Sequence, residues 1–128
     1  MRRKMLTVLL TLLVLSACAS AQTDAPARAV EAYLEAIVTG DADAAALVSC
    51  ADWEETARSE VAAFAGVEAR LEGAACTSRA GSGPITLVDC TGAIVATYNN
   101  EDADFPLEGR AYQTAEEGGE WHVCGYGE

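Results

Sequence analysis

Around Gly66 the spacing of the apolar residues changes from a helical rhythm to an extended one, which restricts the chain to helices followed by a sheet. Upstream, Val30, Tyr33, Leu34, Ile37 and Val38 recur at i, i+3, i+4, i+7 and i+8, the apolar stripe of an amphipathic helix. Pro26 suits the first turn of that helix, with Thr23 or Asp24 as its N-cap, and Gly40 supplies a left-handed closing residue. Asp41 or Asp43 caps a second, short helix running through Leu47 and Val48. Asp52-Trp53-Glu54-Glu55 reads as the capping box of a third helix, with Trp53, Ala57, Val61 and Phe64 as its buried face and Gly66 as its stop.

Downstream of Gly66, turn residues punctuate runs rich in β-branched side chains. Residues 67–77 form a first strand, with Gly81-Ser82-Gly83-Pro84 in the turn that follows. Residues 85–98 form a long second strand, ended by Asn99-Asn100, a pair that tolerates the positive φ of a tight hairpin. Residues 104–115 form a third, with Pro106 marking a bulge or an edge near its start. Glu117-Gly118-Gly119-Glu120 turns into a last strand over residues 121–126. The expected fold is α+β: three N-terminal helices packed on one face of a curved, four-stranded antiparallel meander. No internal repeat and no linker divides it.

The N-terminus carries a different kind of information. Arg2, Arg3 and Lys4 precede an apolar run from Met5 to Leu15 and then small residues, the pattern of a secretory signal peptide. The run is short of the roughly 20 residues that a spanning helix needs. Its end, Leu15-Ser16-Ala17-Cys18, resembles a bacterial lipobox, where cleavage follows diacylglyceryl modification of the cysteine. That resemblance implies a signal peptide over residues 1–17, lipidation of Cys18, a tether over residues 18–25 and a domain over residues 26–128. It also implies a lipid-anchored, extracytoplasmic place in the cell envelope, with the membrane as partner through the lipid, since two or more acyl chains anchor stably.

Removing residues 1–17 takes three of the eight basic residues and leaves five arginines against all twenty acids, a net charge of −15. Nucleic acid and anionic headgroups need clustered basic side chains, so neither is expected as a partner. A hydrophobic content of 51% excludes a disordered chain despite the charge.

With Cys18 assigned to lipid, Cys50, Cys76, Cys90 and Cys124 form an even set, which in an exported chain reads as two disulfides. There is no C-x-x-C spacing and only one histidine, His122, so no metal site or other cofactor is expected. A two-residue turn at Asn99-Asn100 puts Ile94 opposite Phe105, and a turn centred on Gly118-Gly119 puts Gln113 opposite Cys124. Alternation then places Val88, Cys90, Ile94, Phe105, Leu107, Ala111 and Cys124 on the helix-facing side. Cys76 joins them if the first turn loops out an odd number of residues. An intervening strand separates Cys90 from Cys124 by about 10 Å, whereas a disulfide needs Cα atoms within about 7 Å. The pairs that remain are Cys76 with Cys90, and Cys50 with Cys124.

The run Ala29-Val30-Glu31-Ala32-Tyr33-Leu34-Glu35-Ala36-Ile37, then Gly40-Asp41 and a closing Glu120-Trp121-His122-Val123, resembles the nuclear transport factor 2-like superfamily. That resemblance implies a cone in which a curved sheet wraps a helical hairpin. Its leading functional expectation is a non-catalytic module that binds a small apolar ligand or a partner protein, with homodimerisation through the outer sheet face as a further possibility. The alternative is a ketosteroid isomerase-like or polyketide cyclase-like enzyme, with Asp89 acting beside Tyr33, Tyr98 or His122. By register, however, Asp89 faces away from the helices. Glu101, Asp102 and Asp104 could offer oxygens to a hard cation, but they lack EF-hand spacing and read as a solvated hairpin tip.

Overall fold

A computed structural model describes residues 23–127, so the signal peptide expected over residues 1–17, Cys18 and the first part of the expected tether lie outside the described residues. Three helices come first: α1 (Ala25–Thr39), α2 (Ala42–Leu47) and α3 (Glu54–Ala63), with a 3-10 turn over Ala51–Trp53 before α3. Five strands follow: β1 (Glu68–Ala80), β2 (Thr86–Tyr98), β3 (Glu101–Pro106), β4 (Ala111–Glu117) and β5 (Glu120–Gly127). They form one antiparallel sheet in the order β1-β2-β4-β5, with β3 also paired to β2.

The start and stop of α1 follow from local chemistry. The Asp24 carboxylate accepts from the amide of Ala27 at 3.2 Å and from the amide of Ser78 at 2.9 Å, so one side chain caps the helix and fastens it to β1. Those amide bonds, that of Ser78 first, hold the Asp24 carboxyl below its ordinary value. Gly40, at φ 75°, receives the chain at the other end.

The capping box at Asp52–Glu55 does not form. Trp53 N–H instead donates to the Cys50 carbonyl at 2.8 Å, and α3 starts at Glu54 without a side-chain cap. The reason is tertiary. Cys50 N–H donates to Val123 O, and Val123 N–H donates to Val48 O, both at 2.8 Å. The segment after α2 is thus held against β5, and that attachment, not a side-chain cap, sets where α3 can begin.

The four-stranded meander under a layer of three helices is also corrected. Residues 104–115 are two strands, because Pro106 has no N–H to continue the ladder and Leu107 turns inward. Leu107 is fully buried, and its N–H donates to Gly92 O at 2.9 Å. Gly92 itself adopts φ 90° where a Cβ would lie 2.5 Å from the Gly73 carbonyl, so only glycine fits. The register of β1 on β2 slips beside it, between Glu72 and Ala75. This irregularity divides β2: residues 93–98 pair with β3 and residues 86–89 with β4. Above the sheet lies α1, while α2 and α3 pack chiefly on α1 and on each other.

The break before β4 shifts the side-chain alternation by one residue. Val88, Cys90, Ile94 and Leu107 are buried under the helices, but Val88 faces Tyr112 across the ladder, so Tyr112 and Thr114 are the buried residues of β4 in place of Ala111. A second slip, between Gln113 and Thr114, makes Val123 and Gly125 the buried residues of β5. Cys76 and Cys90 are direct cross-strand partners and are disulfide-bonded, with Cα atoms 4.1 Å apart. Cys50 and Cys124 are bonded with Cα atoms 4.8 Å apart, joining the α2–α3 connection to β5.

Candidate functional site

Where the C-terminal half of α3 faces the sheet, a cleft of about 130 Å³ opens between Leu34 and Ile37 of α1, Glu60 and Ala63 of α3, Phe64 just beyond it, and Ile94, Phe105, Arg110, Tyr112 and Tyr126. Its wall is apolar apart from Glu60, Arg110 and the phenol oxygens. Each part is delivered by an identifiable element. Trp53, Ala57, Glu60 and Phe64 recur along one side of α3, so Glu60 is the charged member of an otherwise apolar stripe. Arg110 stands at the end of the turn that separates β3 from β4. Tyr112 and Tyr126 lie opposite each other on β4 and β5 and therefore share a face.

Glu60 is bound from two sides. Tyr33 Oη donates to Glu60 Oε2 and Tyr126 Oη donates to Glu60 Oε1, each at 2.6 Å, and Trp53 Nε1 donates to Tyr33 Oη at 3.1 Å. Hydrogen bonds to an ionised acceptor are among the stronger ones a protein makes. The rings reinforce the arrangement through edge contacts, Trp53 with Tyr126 at 5.8 Å and Tyr112 with Tyr126 at 5.4 Å. Phe64 and Phe105 meet edge-on at 5.8 Å across the cleft, and the Arg110 guanidinium lies over the Tyr126 ring, 5.2 Å from its centre. Donation to Glu60, and then burial, push the Tyr126 phenol up to about 12. Burial first, and Glu60 second, raise Tyr33 further still, while burial raises Tyr112 against the opposing effect of Arg110.

Of the residues singled out by sequence, only Tyr33 belongs to this group. Asp89 is exposed on the opposite face of the sheet and ion-paired with Arg79. Tyr98 is exposed at the end of β2, and His122 places Nδ1 3.0 Å from the Glu120 carbonyl. At the hairpin tip Asp102 accepts from Arg70 at 3.0 Å and from Thr97 at 2.7 Å, with Arg70 holding its carboxyl below the ordinary value. Among the described residues no group of acids, histidines and cysteines is placed to hold a metal ion. Glu60, Arg110, Tyr112 and Tyr126 were not singled out. The signal for Glu60 was its position in the α3 stripe, while Arg110 and Tyr126 carry no local signal, because strand breaks and slips bring them to the cleft.

The fold has a solved counterpart. The solution structure of a SEC-C motif containing protein from Rhodopseudomonas palustris matches 81% of this chain and 78% of its own, with a TM-score of 0.54 at 12% identity. At that identity the likeness concerns the fold alone. No family model matches the chain, and no curated protein matches it. The resemblance to a lipoprotein with a nuclear transport factor 2-like domain is corrected accordingly: the counterpart is a SEC-C motif protein, and the sheet has five strands that branch at β2. The ketosteroid isomerase-like or polyketide cyclase-like roles offered for Asp89 beside Tyr33, Tyr98 or His122 were implied by that resemblance, and of these four residues none but Tyr33 is joined to Glu60. The comparison offers no support for a lipoprotein, and residues 15–18 lie outside the described residues.

Proposed function

We propose that this chain is an exported binding domain, tethered to the cell envelope through Cys18, whose cleft takes a small and mainly apolar ligand. The observation that supports the reading is the cleft itself: a concave apolar surface in an acidic domain, with few and convergent polar groups. Its aromatic walls are held in place by hydrogen bonds made behind them, so the surface exists before anything binds, which lowers the ordering cost of binding. The hydrogen bonds to Glu60 serve here to hold tyrosines, a binding role needing no proton transfer.

The experiment uses toluene, a one-ring probe without charge. Its amide chemical-shift perturbations should fall on residues around Ile37, Phe64, Ile94 and Phe105. Ala63 is exposed at the rim of the cleft, so Ala63→Trp would cover the opening with little effect on the core and should abolish those shifts. Perturbations scattered over the surface, or unaffected by the substitution, would rule the cleft out.

A further inference from the structure

The cleft carries two charged side chains that do not pair with each other, and their circumstances differ. Both oxygens of Glu60 already accept a phenol proton. Arg110 interacts with the Tyr112 phenol and the Tyr126 ring, but among the described residues no carboxylate lies within ion-pair distance of its guanidinium, whereas Arg58, Arg70 and Arg79 are all paired with acids. Arg28 also lacks an ion pair, but it is exposed on α1 and does not line the cleft. Glu108 lies in the same turn, and its Oε1 is engaged elsewhere, accepting from Gly92 N–H at 3.1 Å. Among the described residues of this acidic domain, the half-buried arginine of the cleft is left without a carboxylate. Its position is fixed from below by the Tyr126 ring, which Glu60 in turn holds by the phenol oxygen.

We propose that the cleft binds a small monocarboxylate with a one-ring or short branched apolar tail, the carboxylate taken by Arg110 and the tail laid against Phe64, Ile94 and Phe105. A guanidinium offers two parallel N–H donors that match the two oxygens of a carboxylate, which a point charge does not. The size also agrees, since a dry cavity of about 150 Å³ is known to take benzene. The exposed acids outside the cleft do not forbid an anion, because exposed charges beyond about 8 Å are largely screened at physiological salt, and Glu60, within the cleft, has both oxygens engaged by phenols. This inference rests on the binding role proposed for the cleft.

The test compares benzoate, benzamide, benzylamine and toluene on the full chain at neutral pH, by chemical-shift perturbation and calorimetry. Benzoate should bind about tenfold more tightly than benzamide, the difference expected of a charge-assisted bidentate contact. Arg110→Gln should bring benzoate down to the benzamide level, and amide shifts unchanged away from the cleft show that the variant is folded. Should Arg110→Gln fail to fold, Arg110→Lys keeps the charge without the fork and should still reduce the preference. Benzamide binding as tightly as benzoate, or an unaltered preference in both variants, overturns the proposal but leaves the cleft reading standing. A preference for benzylamine that disappears in Glu60→Gln overturns it in favour of a cationic ligand. If no probe, toluene included, perturbs the cleft, the binding role itself fails and this inference with it.

Discussion

Glu60 is the residue on which most of the aromatic contacts of the cleft depend, because it fixes Tyr33 and Tyr126 through opposite oxygens of one carboxylate. In Glu60→Gln one phenol meets an amide NH₂ in place of an acceptor, so a loss of about 1–2 kcal/mol in chemical denaturation is expected. The same substitution has an alkaline signature. The folded state holds Tyr126 protonated up to about 12, whereas a tyrosine in the unfolded chain ionises near its ordinary value of 10.0. Stability is therefore fully present below pH 10 and is lost as pH rises through about 12, where the folded phenol ionises too. Removing the Glu60 acceptor should lower the Tyr126 titration, read by phenolate absorbance, so that the loss is smaller and ends closer to pH 10; an unchanged curve would show that burial alone sets it. Glu60 was legible in the sequence only as a polar interruption of an apolar stripe. A solvated carboxylate and a half-buried acceptor look alike until the donors, from α1 and β5, are in place.

At the scale of elements, the two disulfides constrain very different lengths of chain. Cys76–Cys90 closes a hairpin with a sequence separation of 14, while Cys50–Cys124 closes a separation of 74 and joins the helical part to the last strand. In the chain-entropy description the first is worth about 3 kcal/mol and the second about 4.5. Cys50→Ser should accordingly lower the melting temperature more than Cys76→Ser under non-reducing conditions, and the opposite order would show that the α2–α3 connection stays on β5 without its bond. The backbone exchange of Cys50 and Val48 with Val123 makes that opposite order a meaningful outcome. The helices and strands were legible from periodicity, as were the Asn99-Asn100 turn, now seen at φ 51° and 66°, and Gly40. The division of residues 104–115 was not. Pro106 announced an irregularity, but whether it meant a bulge within one strand or the end of one depended on where Leu107 could be buried, and on the one backbone approach, at Gly92, that admits no Cβ.

The whole molecule is an acidic domain, and beside a membrane anionic headgroups would repel it, so any attachment must come from elsewhere. Cys18→Ser should therefore release the protein from the membrane fraction or leave an unprocessed precursor. Unchanged lipid labelling would refute the tether. Among the described residues no helix is long and apolar enough to cross a bilayer. What the sequence determined by itself is what short-range chemistry decides: a helical half and an extended half meeting near Gly66, an N-cap at Thr23 or Asp24, the helix stop at Gly40, the Asn99-Asn100 turn, the charge balance and an even set of cysteines. The tertiary structure alone decided which face each residue of β4 and β5 presents, because one inserted residue reverses a strand's alternation and the sequence does not mark where a ladder will slip. It decided too that one helix, α1, lies on a branched sheet. The cleft followed from both, since Glu60, Arg110 and Tyr126 come from three separate elements whose approach is set by long-range packing and not by spacing along the chain.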